Sequence, residues 1–95
     1  MITEKTFKSM MRVTIIDMEF SKRTTNCLLK NGYKNIRQLF KMRNRLNEIK
    51  NLTLRSRREI ELCFRCYGLT EYAEYQDQLA LKTAQAEGPT IIYQP

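Results

Sequence analysis

The chain has 95 residues, of which 42% are hydrophobic and 28% charged, and its 17 Lys/Arg outweigh 10 Asp/Glu to give a net charge of +7. That length suits one domain with a small core and much wet surface, and the composition is that of a soluble globular domain rather than a disordered one. No apolar run approaches the ~20 residues of a membrane-spanning helix, and the lack of any histidine removes the commonest general base and metal ligand.

Residues 1–12 read as a lead-in, and nothing in 1–20 has the pattern of a regular element beyond a short β-like piece at Val13, Ile15 and Ile16. The opening MITEKTFKSMMRVTII mixes charge into its apolar residues too early for a signal peptide. A short chain that starts with Met is expected to be a complete gene product. Asp17-Met18-Glu19-Phe20 follows, with Met18 and Phe20 as core anchors. Ser21 is placed to cap a helix over 22–31, because its hydroxyl can accept from a free amide of the first turn. Cys27, Leu28 and Lys30 flank the inner side of that helix, and Gly32 stands where a left-handed residue after the helix belongs.

Asn35 caps a second short helix, 36–42, with Ile36, Leu39 and Phe40 at i, i+3 and i+4. A poorer third helix is expected within 43–50 around Leu46 and Ile49. Thr53 caps a fourth, 54–67, with an inner face of Leu54, Ile60, Leu62, Cys63 and Tyr67 and an end at Gly68. Tyr72, Tyr75, Leu79 and Leu81 mark a fifth, about 70–86, ended by Glu87-Gly88-Pro89; TIIYQP is then a loose tail or a strand seeking an edge. The expected division is a lead-in at 1–12, a helical domain at 13–69, and a C-terminal helix and tail at 70–95. The expected fold is all-α: a compact bundle of four or five short helices that relies on tertiary packing, since helices this short are marginal alone.

The charge is unevenly spread. Residues 1–69 hold 16 Lys/Arg against 6 Asp/Glu, while 70–95 hold Lys82 against Glu71, Glu74, Asp77 and Glu87. Within 34–58 there are nine bases and one acid, Glu48. Such clustering fits a nucleic-acid or other anionic partner, and it fits a solvated basic face equally well. The odd set of three cysteines, without secretion features, implies reduced thiols and a cytoplasmic protein. Cys63-x-x-Cys66 has only one further cysteine and no histidine to complete a zinc site. No serine or carboxylate has a partner base, so neither an enzyme nor a metal or other cofactor is expected. The Tyr72/Tyr75 stripe reads as packing onto the body or as a dimer seam, leaving a monomer or weak homodimer.

IDMEFSKRTTNCLLKNGYKNIRQLF, then LNEIKNLTLRSRREIE, then CYGLTEY resembles the C-terminal domain of the bacterial RNA polymerase alpha subunit across about residues 13–70. The resemblance rests on Arg23, Asn26, Cys27 and Leu28 in register with Asn51, Leu52, Ser56, Glu59 and Ile60. It implies a helix-hairpin-helix-like element from residues 44–58 which, with the start of the first helix, straddles a DNA minor groove. By that resemblance Arg23 enters the groove, Asn26 and Cys27 approach the sugar-phosphate backbone, and Arg55 and Ser56 open the last core helix. Glu59 lies on the same face with Thr53 beside it, and Asp17 and Glu19 match an acidic patch that meets a sigma factor. The implied partners are weakly and salt-dependently bound A·T-rich DNA, and RNA polymerase, a sigma factor or an activator. A protein-interaction adaptor of the same fold that has lost DNA contact is the alternative.

Three departures accompany the resemblance. The family's glycine after Asn-Leu is Thr53, which is costly if that turn needs φ > 0 and favourable if the position is a helix cap. One residue is missing between Phe40 and Leu46. The large assembly domain that precedes this module in the alpha subunit has no counterpart here, so the protein is not expected to build a polymerase core.

Overall fold

The computed structural model describes the backbone of residues 1–92 and the side chains of residues 1–82. Among these, four helices begin where a short polar side chain takes up a first-turn amide. Thr3 opens α1 (Glu4–Met11), Ser21 opens α2 (Lys22–Lys30), Asn35 opens α3 (Ile36–Phe40) and Thr53 opens α4 (Leu54–Cys66). Each cap accepts from the amide three residues on, which satisfies one of the donors that a helix start leaves free. Gly32 and Gly68 follow α2 and α4 at φ 87° and 75°, the left-handed conformation that ends a helix at little cost only for glycine. Gly68 then turns the backbone into α5 (Leu69–Ile92).

Ile15, Leu28, Ile36, Leu39, Leu46, Ile60, Phe64 and Leu69 form the buried centre, so every segment from the 14–19 turn to α5 contributes to one core. The β-like piece forms as an isolated antiparallel bridge between Thr14 and Asn35, with Ile15 N donating to Lys34 O and Ile36 N to Val13 O. Met18 and Phe20 reach the core as expected.

Several expectations are corrected. The lead-in contains a regular element, α1, whose Phe7, Met10 and Met11 pack on the core at helical spacing. Phe7 stacks on Tyr72 at 4.5 Å and meets Phe40 edge-on at 5.7 Å, so α1 is bound by aromatic contacts. The poorer third helix, expected at one or two turns within 43–50, does form, as a single 3-10 turn at Leu46–Glu48 with Leu46 and Ile49 both buried. The inner face of α4 is Ser56, Ile60 and Phe64, while Leu54, Leu62 and Tyr67 are exposed. Phe64 fixes that rotation by meeting Phe40 edge-on at 5.0 Å, and Ser56 is drawn inward by a polar partner on α2. Finally, α5 continues past Glu87-Gly88-Pro89 to Ile92. A proline removes one amide and crowds the preceding turn, but it does not forbid helix on either side. Of the TIIYQP segment, residues 93–95 lie outside the described residues.

Candidate nucleic-acid interface

The starts of α2 and α4 are fastened to each other by Glu59. Its carboxylate accepts from Ser21 N at 2.8 Å, from Ser21 Oγ at 3.0 Å, and from the Thr24 hydroxyl. Thr24, fully buried, also lies 2.7 Å from Ser56 Oγ, and Ser56 N donates to Thr53 Oγ1 at 3.1 Å. Each hydroxyl has one proton to give. With Glu59 ionised, Thr24 gives its proton to the carboxylate and Ser56 gives its own to Thr24, so the series of donors closes. Burial pushes the Glu59 pKa up, but hydrogen bonds from Thr24 and Ser21 and the nearby Arg55 charge outweigh it and hold the carboxyl below its ordinary value.

This network leaves two helix starts side by side. Ser21 and Thr53 cap only one first-turn amide each, so the amides of Lys22, Arg23, Leu54 and Arg55 have no acceptor among the described residues. Free amides and the helix dipole together favour an anion at each start. Arg23 lies at the junction of two open grooves. One is lined by Lys22, Asn26, Cys27, Lys30, Asn31 and Asn51, the other by Ser21, Thr53, Arg55, Ser56 and Glu59, and Arg23 lines both. Glu59 is the one acid among the lining residues of either groove, and its charge is already taken up by three donors.

The structure therefore brings Arg23, Asn26, Cys27, Thr53, Arg55, Ser56 and Glu59 to one surface, in different circumstances. Arg23, Asn26 and Arg55 are exposed. Cys27 is half-buried, with Sγ 3.5 Å from Lys50 O. Ser56 is buried and its hydroxyl is used internally. Thr53 has φ −71°, so the position is a cap and the substitution for glycine carries no strain; the positive φ of this turn falls on Asn51, at 64°. Asp17 and Glu19 are exposed on the 14–19 turn and line neither groove.

Sequence reasoning missed Thr24, whose signal was the Ser-x-x-Thr spacing at a helix start. It also missed Asn31, which donates from Nδ2 to Cys27 O at 2.8 Å and to Lys50 O at 3.0 Å and so ties α2 to the loop before α4. No pattern in the sequence marks that second contact. Among the described residues no helix is long and apolar enough to cross a membrane.

Residues 3–65, about two-thirds of the protein, match the family described as the C-terminal domain of the alpha subunit of bacterial RNA polymerase. Comparison with the curated proteins and with the solved structures gave no match. The family is one of non-catalytic, transcription-related domains that bind DNA and transcription proteins. With a match of that extent, this protein belongs to the family of C-terminal domains of the bacterial RNA polymerase alpha subunit.

Proposed function

We propose that this protein binds the minor groove of A·T-rich DNA, with Arg23 inserted between the strands and the starts of α2 and α4 each set against one sugar-phosphate backbone. The observation that carries this reading is the position of Arg23 at the junction of two cation-lined grooves beside uncapped amides. A narrow A·T-rich groove has enhanced negative potential and draws arginine. Its donor and acceptor pattern is degenerate, so preference follows A·T content rather than a sharp motif. Asn26 and Arg55 reach backbone, while Cys27, Thr53, Ser56 and Glu59 hold the two helix starts in register.

Fluorescence anisotropy on short A·T-rich and G·C-rich duplexes tests the reading. If about four phosphates are contacted, affinity falls roughly 100-fold between about 50 and 200 mM salt. Arg23→Ala should remove the A·T preference and most of the affinity. Equal binding by that variant, or no binding at low salt, refutes the proposal. A second reading, docking on a sigma factor or polymerase through Asp17 and Glu19, is favoured by one observation: both acids are exposed, away from the Arg23 grooves, and without an ion-pair partner among the described residues. Binding of a sigma factor that survives Arg23→Ala and is lost in Asp17→Lys/Glu19→Lys supports it.

A further inference from the structure

The basic run at 34–58 is continuous in sequence but divided in space. Arg55 lines a groove beside Arg23, whereas Arg37, Lys41 and Arg43 stand around a different groove between α1, α3 and α5. None of these three lines either groove of the candidate DNA surface. This concavity is floored by Phe7, Met11, Phe40, Tyr72 and Ala73, and an adjoining one along α1, which shares Phe7, Met11 and Arg37, adds Arg12.

The floor and the rim differ in chemistry. Phe7, Met11 and Tyr72 are half-buried and present apolar edges that the fold leaves partly uncovered. Arg43 lies 4.5 Å over the Phe40 ring and 3.9 Å from Asp77, so its charge is partly answered within the protein. Arg12, Arg37 and Lys41 are exposed and have no acid within ion-pair distance among the described residues. Asp77 lines the groove as well but lies against Arg43, so Arg12, Arg37 and Lys41 leave the rim with a net positive charge around an apolar floor, which is unfavourable in the free protein. The complementary ligand brings carboxylates for the rim and a bulky apolar side chain for the floor. A phosphate backbone matches the rim and offers nothing to the floor.

We propose that this groove docks an acidic segment of a partner protein that carries a leucine or phenylalanine anchor. The anchor enters between Phe7, Met11 and Tyr72, and flanking Asp or Glu residues meet Arg37, Lys41 and Arg12. The site is independent of DNA binding, since it shares no lining residue with the Arg23 grooves.

The test is an amide chemical-shift titration of the full-length protein with a capped peptide of about 12 residues, Asp/Glu throughout except for a central Leu-Phe pair. Three controls are the same peptide with Gln/Asn for the acids, the same peptide with Ser for Leu-Phe, and a short A·T-rich duplex. Shifts should cluster at Phe7, Arg37, Lys41 and Tyr72, with affinity about tenfold weaker between about 50 and 300 mM salt. Both control peptides should bind at least about tenfold more weakly. R37E/K41E, at exposed positions that leave the core intact, should abolish peptide binding and leave duplex binding within about twofold. Arg23→Ala should do the reverse. Binding of the Ser control equal to that of the acidic Leu-Phe peptide overturns the proposal, as do peptide shifts confined to the Arg23 surface. It is also overturned if the duplex saturates the Arg37/Lys41 face, which makes the groove a second nucleic-acid contact. A dimer by light scattering that R37E/K41E dissociates overturns it too, by making a second copy of this protein the occupant.

Discussion

Glu59→Gln isolates the bond that holds the candidate surface together. The carboxylate receives three donors, from Ser21 N, Ser21 Oγ and Thr24 Oγ1. Hydrogen bonds to a charged acceptor contribute about 1.5–3 kcal/mol each when well buried. Glu59 is partly exposed, so solvent screening cuts the total well below that sum. Glutamine keeps the shape and one acceptor oxygen, but it turns an amide donor toward a hydroxyl or amide that is itself donating. The expected loss is about 2 kcal/mol at neutral pH, which in a domain of this size lowers Tm by roughly 8–16 °C. The same carboxylate makes stability depend on pH. Burial raises its pKa, but the Thr24 and Ser21 donors and Arg55 outweigh burial and hold it below the ordinary value. As pH falls, the unfolded state therefore takes up this proton first. The contribution of Glu59 is complete above about pH 5 and is lost as pH drops below the unfolded value of about 4.3 toward the folded one. Urea unfolding of the natural protein and Glu59→Gln at about pH 7 and pH 3 measures both effects. The natural protein should lose stability toward the variant at the acid end. A gap under about 0.5 kcal/mol at neutral pH, or parallel acid loss in the two proteins, refutes the reasoning.

Phe7→Ala removes the ring that stacks on Tyr72 and meets Phe40 edge-on; since Phe7 is half-buried, calorimetry should find a loss of about 2 kcal/mol. A change under about 0.5 kcal/mol would mean that α1 is not part of the cooperative unit. Gly68→Ala should cost more than Gly32→Ala in the same assay. Both sit at positive φ, but a Cβ on Gly68 would stand 3.1 Å from the Ile2 side chain while one on Gly32 meets open space; equal losses would show that the Ile2 contact gives way freely. Burial, with the neighbouring Cys66 and Glu59 adding to it, raises the Cys63 thiol pKa to about 11. Cys66 is exposed, so mass spectrometry should find it alkylated by iodoacetamide well before Cys63 near pH 8, and the opposite order would refute that assignment.

Much of this fold is legible because single residues carry unambiguous local chemistry. Ser21, Asn35 and Thr53 announce helix starts, and Gly32 and Gly68 announce ends, since each residue type satisfies a backbone need that few others can. What escapes is set by partners distant in sequence. The rotation of α4 is invisible from within it, because its apolar residues offer Leu54 and Leu62 as readily as Ile60 and Phe64. Only Phe40 and Thr24, from two other elements, select Phe64 and Ser56 for the interior. α1 is missed for the same reason: Phe7, Met10 and Met11 are too few to form a stripe until Phe40 and Tyr72 supply the surface they pack on. The candidate site follows this rule with one difference. Arg23 and Arg55 could be named in advance because the family resemblance set them in register, but their meeting depends on three hydroxyls, Ser21, Thr24 and Ser56, and the Glu59 carboxylate, brought together from the start of α2 and from α4. A buried hydroxyl such as Ser56 is costly unless every neighbour is satisfied. Its burial beside Thr24 ties the core of this domain to the surface it presents, so a substitution that loosens the polar network should separate the two helix starts before it unfolds the protein.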